Sequence, residues 1–150
     1  MRKKIALSLT AVVVATSLTA CGGTGTDAPT RMITQVTDGV DAKLASEGNL
    51  VYLRNIQVAV NEAGDASLVG TIVNQKNTKE ALLALAINQM QIKLTAIPTP
   101  QNQPVIFGGP SANAIATIPN SGLVAGTRTK VSFFFGLAGT VSVDALVVNA

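Results

Sequence analysis

Apolar and polar positions alternate along most of the chain with the two-residue period of a strand, and the phase of that alternation places the elements. From Asn49 onward Val51 and Leu53 lie in one phase, and Ile56, Val58 and Val60 in the other. A switch of phase near Asn55 within one strand predicts a β-bulge. Asn61-Glu62-Ala63-Gly64-Asp65 has turn composition, and Ser67–Asn74 predicts a second strand, apolar on both faces and therefore central. Asn74–Thr78 is a polar loop. Ala81–Leu94 is ambiguous: Leu83, Ile87, Met90 and Leu94 have helical spacing. Leu83, Leu85 and Ile87, then Met90, Ile92 and Leu94, also alternate about an Asn88-Gln89 turn. Two strands are favoured over a helix.

Ile97–Pro104 carries three prolines and is expected to be a loop. Short strands follow at Val105–Phe107 and Ala112–Ile118, separated by Gly108-Gly109-Pro110. The last segment alternates most regularly. Val131, Phe133, Phe135 and Leu137 point one way, and Ser132, Phe134 and Gly136 the other. After Ala138-Gly139 the pattern repeats, with Val141, Val143, Ala145 and Val147 inward and Ser142 and Asp144 outward. This is a hairpin with one face on a core. The expected fold is all-β: an Ig-like or cupredoxin-like antiparallel Greek-key sandwich of about seven strands.

The first residues follow different rules. Arg2, Lys3 and Lys4 precede an apolar run of 14 residues, Ile5–Leu18, and then Leu18-Thr19-Ala20-Cys21-Gly22. A charged start, a short apolar stretch and small residues before a cut describe a secretory signal peptide. The run is shorter than the roughly 18–20 residues that span a bilayer. Leu-Thr-Ala-Cys resembles the lipobox of bacterial lipoproteins. In that motif the chain is cut between the positions held here by Ala20 and Cys21, and the thiol carries a diacylglycerol. Cys21 is the only cysteine in the chain. The expected organisation is a signal peptide over 1–20, a lipidated Cys21 with a flexible linker over 21–35, and a β-sandwich domain over 36–150. The location implied is the extracytoplasmic face of the cell membrane, reached through the N-terminal lipid.

Composition narrows the chemistry. The formal charge of +3 belongs to the leader, because the remainder carries eight basic and eight acidic residues. No basic run with interleaved aromatics is present, which argues against nucleic-acid binding. The chain has no histidine, so a serine nucleophile would need a lysine as its base. Ser67, Ser111, Ser121 and Ser132 lie in no catalytic context. Asp38/Asp41 and Glu62/Asp65 are the close carboxylate pairs, both in lead-in or turn settings, and no calcium-binding loop surrounds them. Neither the glycines at 108–109 nor those at 22–23 sit between a strand and a helix in a phosphate-binding pattern. The expectation is a non-enzymatic domain with no cofactor and no metal. Phe134, facing away from the core, is the candidate partner contact, with Val69, Val73, Leu146 and Val148 as companions if their outer faces adjoin.

Several segments in order carry a family resemblance: Leu53-Arg54-Asn55-Ile56, Leu68-Val69-Gly70-Thr71-Ile72-Val73-Asn74, Leu123-Val124-Ala125-Gly126, Val131-Ser132-Phe133-Phe134-Phe135 and Ala138-Gly139-Thr140-Val141-Ser142-Val143. Over residues 36 to 149 they resemble the PCu(A)C copper-chaperone-like domain, most of all its actinobacterial LpqE-type lipoprotein branch. The resemblance implies a cupredoxin-like or Ig-like sandwich. It also implies copper ligands of the His and Met type, one pair falling at Asn113 and Ile115. Neither residue suits Cu(I), which prefers thioether, thiolate or imidazole. A second His and Met would fall within 90–108, where Met90 is the one candidate and alternation assigns it to the core. Outside the leader, Met32 and Met90 are the only thioethers. Two readings result: a membrane-tethered binding or adaptor domain for an envelope protein, a cell-wall polymer or a lipid, and a metallochaperone related to copper trafficking.

Overall fold

The computed structural model describes residues 38–150. Ala20, Cys21, Met32 and the leader and linker expected over 1–35 lie outside the described residues. Ten strands run through the described residues, which contain no helix: β1 (Val40–Ser46), β2 (Asn49–Val60), β3 (Ala66–Asn74), β4 (Ala81–Ile87), β5 (Met90–Ile92), β6 (Ile97–Pro98), β7 (Val105–Phe107), β8 (Thr117–Ile118), β9 (Arg128–Phe135) and β10 (Thr140–Asn149). Seven form a continuous path, β5-β4-β9-β10-β2-β3-β7, while β1 pairs with β2, β6 with β4 and β8 with β3. The sheet curls so that its inner face closes on one core. Leu85, Phe133 and Val147 contribute from one half, and Leu53, Ile72 and Phe107 from the other. The all-β sandwich is as expected, with one difference: β10 runs parallel to β2, so the sheet is mixed.

The bulge expected near Asn55 organises this topology. Val51 and Leu53 face the core, and so do Ile56 and Val58, a step of three that a regular strand cannot make. The β2–β3 register shifts between Arg54 and Gln57, and Asn55 has φ 52°. Asn tolerates that left-handed conformation better than most residues. On its other edge β2 pairs antiparallel with β1 as far as Ile56, then parallel with β10 from Gln57. The bulge is therefore the point at which β2 changes partners. Asp41 on β1 clamps it. One carboxylate oxygen takes the Arg54 guanidinium at 2.7 Å and the other accepts the Asn55 N–H at 2.7 Å. The guanidinium also lies 4.7 Å from the centre of the Tyr52 ring, within cation–π range. The segment leading into Asn49 thus forms an edge strand on β2.

The ambiguity at 81–94 resolves as two strands. Asn88 and Gln89 both have positive φ, 50° and 65°, as a two-residue hairpin turn of the primed type requires. β5 is shorter than the alternation predicts and ends at Ile92. In β4 the register against β9 shifts between Leu82 and Ala84. Leu82, Leu85 and Ile87 therefore face the core and Leu83 faces out, which corrects the inward phase expected of Leu83.

Three other expectations change in detail. Within the proline loop, Ile97 and Pro98 pair with Leu82 and Ala81. Proline is admissible at such an edge because its nitrogen has no hydrogen to donate. In 112–118 only Thr117–Ile118 forms a ladder, although Ala114, Ala116 and Ile118 all face inward. The alternation is real, but the strand is replaced by a bridge from Ala114 to Phe107 and a bond from the Leu68 N–H to the Ala116 carbonyl at 2.9 Å. The β9–β10 hairpin keeps Val131, Phe133 and Phe135 inward, but Leu137 sits in the turn and is exposed.

Candidate functional site

Most of the carboxylates and hydroxyls weighed for catalysis are occupied with structure; Asp38, Glu62 and Ser111 are simply exposed. Asp41 serves the bulge. Asp65 accepts the Asn120 N–H at 3.1 Å, tying the Asn61–Asp65 turn to the loop before β9. Within that turn the Gly64 N–H donates to the Asn61 carbonyl at 2.9 Å. Ser67 pairs with Thr117 at 2.9 Å, and Ser132 with Ser142 at 2.8 Å, across strands. The Ser121 hydroxyl donates to the Gly64 carbonyl at 2.9 Å and accepts the Leu123 N–H at 3.3 Å. No lysine bonds to any of these hydroxyls among the described residues. Gly108 and Gly109 have φ 75° and 79° and make a turn.

The positions implied for copper ligands are equally committed. Asn113 accepts the Ile106 N–H at 2.7 Å through Oδ1 and donates to the Pro104 carbonyl at 3.0 Å through Nδ2. Its amide closes the loop after β7. Ile115 projects into solvent, 81% exposed. Met90 is only partly buried at the β4–β5 turn, a shallower position than alternation indicates. It is the one methionine among the described residues. No group of three or more His, Cys, Asp or Glu is placed to hold a metal ion among the described residues.

Phe134 faces outward as expected, 38% exposed. Its expected companions do not join it. Phe134 lies opposite Ala84 on β4 and Thr140 on β10, whereas Leu146 lies opposite Arg128, at the far end of the same hairpin. Val69 and Val73 lie on β3, beyond β10 and β2. The exposed large apolar residues at the Phe134 end of the sheet are Leu83, outward at the β4 irregularity, and Leu137, in the β9–β10 turn. Each is 50% exposed. The Leu82-Leu83 doublet was the available signal, since two successive leucines in a strand cannot both face the core.

With the geometry described, the chain can be set against known proteins. No protein-family model matches it, and no curated protein does. Solved structures do. The apo PCuAC domain from PmoF1 aligns with a TM-score of 0.57 at 17% identity, over 73% of this chain and 100% of that one. The fold is PCuAC-like. The copper-bound PCuAC domain from PmoF2 aligns with a TM-score of 0.55 at 16% identity, over 73% of this chain and 99% of that domain. The apo form of the PmoF2 domain gives 0.54 at 15%, over 72% and 95%. Identities of this size carry the backbone architecture and leave the ligand chemistry to be argued from this chain's own side chains.

Proposed function

We propose that this chain is an extracytoplasmic lipoprotein of the cell envelope, anchored through Cys21. Its PCuAC-like domain acts as a non-enzymatic binding or adaptor module and does not carry copper. The LpqE-type branch is the placement within the family that the sequence resemblance favours. The observation that carries it is the donor set. Where the resemblance calls for a His and a Met, this chain has an amide closing its own loop, Asn113, and an exposed hydrocarbon, Ile115. Cu(I) needs soft or imidazole donors. Met32 and Met90, without any histidine in the sequence, do not meet that need, so the residues present do not fit the ion.

The second reading, a copper metallochaperone, is favoured by the likeness to a domain described as copper-bound. A titration of the purified chain with Cu(I) against a chromophoric chelator separates the two. The expected result is that the chelator keeps the metal. One-to-one withdrawal of copper by the protein would overturn the adaptor reading. Anchoring is tested separately. Mass spectrometry should find diacylglycerol on Cys21, and Cys21→Ala should leave the protein unprocessed or release it from the membrane. A bare thiol on the mature chain would end that part of the proposal.

A further inference from the structure

Leu83, Phe134 and Leu137 share one end of the sheet. Phe134 is the register neighbour of Ala84, and a Cβ built on Gly136 would come within 3.6 Å of the Leu83 side chain, so the β4 irregularity and the β9–β10 turn are in contact. The turn is held rigidly. Glu80, just before β4, accepts the Leu137 N–H at 3.0 Å and the Ala138 N–H at 2.7 Å. Leu137 therefore projects from a fixed backbone, and its insertion into a partner costs little ordering entropy.

Three lysines lie at the same end of the sheet. Lys79 adjoins Glu80, and Lys76 lies in the same loop after β3. Lys93 lines a shallow groove of about 280 Å³ together with Leu83. All three are exposed, and none is in an ion pair among the described residues, where the pairs are Arg54–Asp41 and Lys130–Asp144. The one exposed carboxylate at this end is Glu47, in the β1–β2 turn. The opposite end presents Glu62 and Asp65, in the β2–β3 turn.

From this arrangement we infer that the β9–β10 turn end of the domain docks on an anionic lipid surface. Leu83, Phe134 and Leu137 enter the boundary between headgroups and acyl chains. Lys76, Lys79 and Lys93 lie along it with their ammonium groups at the phosphates. An anionic polymer would use the lysines and leave the leucines in water. An apolar protein surface would desolvate three unpaired cations. An anionic bilayer satisfies both sets. Access to the membrane rests on the anchoring reading. The 16 residues 22–37 reach at most about 50–60 Å when extended, enough for the domain to lie down on its cationic end.

Hydrogen exchange on the full chain tests the inference, after the mass of its N-terminus has been read. The protein is placed in vesicles of phosphatidylcholine alone or with about 30% phosphatidylglycerol. Amides at 79–84 and 134–139 should exchange about fivefold more slowly with phosphatidylglycerol present, and those at 61–65 and 119–125 should not change. The difference should vanish in about 0.5 M salt. It should also vanish in Lys79→Glu/Lys93→Glu, and independently in Leu83→Ser/Leu137→Ser. Equal exchange in the two lipids, or slowing at the opposite end, would overturn the inference. If Cys21 proves unmodified, anchoring fails by itself. The same comparison, with vesicles added to the chain, then still decides docking.

Discussion

Glu80 illustrates how one residue can do work that its sequence context hides. It sits in a polar stretch between Lys79 and Ala81 and looks like an ordinary loop acid, yet it is 3% exposed. Its carboxylate accepts three backbone N–H groups: Ala81 at 2.9 Å, and Leu137 and Ala138 from the hairpin turn. Truncation would bury those donors without partners. Glu80→Ala should destabilise the domain by about 2–4 kcal/mol, measured by urea unfolding. Glu80→Gln, which keeps an acceptor, should cost less. A loss under ~0.5 kcal/mol for alanine would show that the turn does not depend on the carboxylate. Thr129 predicts the opposite sign. It faces inward, and its hydroxyl has no hydrogen-bond partner among the described residues. Thr129→Val should be neutral or stabilising by up to about 1 kcal/mol in the same measurement. Neither environment could be read from the chain, because the partners of Glu80 lie 57 and 58 residues away.

At the scale of elements, the bulge in β2 was legible and its consequence was not. The phase switch at Asn55 marks it, because alternation is a local property of the backbone. That β2 there leaves β1 and takes up β10 depends on strands far away in sequence. Gly70 lies opposite the bulge with φ 144°. A Cβ there would stand 2.6 Å from the Ile56 Cδ1 and 3.1 Å from the carbonyl oxygens of Arg54 and Asn55. Gly70→Ala should therefore cost about 2–3 kcal/mol. A thermal midpoint equal to that of the unsubstituted protein would mean the bulge can relax. The β4–β5 hairpin shows the same division. Asn88-Gln89 gave away the turn, while the irregularity that sends Leu83 outward comes from the register against β9. In 112–118 the inward phase was legible but the ladder was not, since three alternating residues do not reveal whether a neighbour pairs with them.

For the molecule as a whole, one curled sheet around one core implies cooperative unfolding. The single Tyr52 lies on β2, between β1 and β3. Its fluorescence and the far-ultraviolet circular dichroism should follow the same urea transition. Separated midpoints would show that the β1–β2–β3 half melts apart from the β9–β10 half. The charge balance of the chain beyond the leader is neutral, yet its lysines are unevenly placed. Lys76, Lys79 and Lys93 lie at the end of the sheet that holds the β9–β10 turn, and Glu62 and Asp65 stand towards the other end with Arg128. A net charge does not contain that information.

By itself the sequence determined the class of fold, the inward phase of most strands, and the poverty of soft-metal donors. Periodicity is set by neighbouring residues, and no arrangement of a chain without histidine can supply an imidazole. Tertiary structure alone decided the parallel β10–β2 pairing, the burial of Glu80, and the placing of Leu83, Phe134, Leu137 and three lysines at one end of the sheet. Each of these is a matter of register between segments tens of residues apart, and register is chosen by the packing of the whole core.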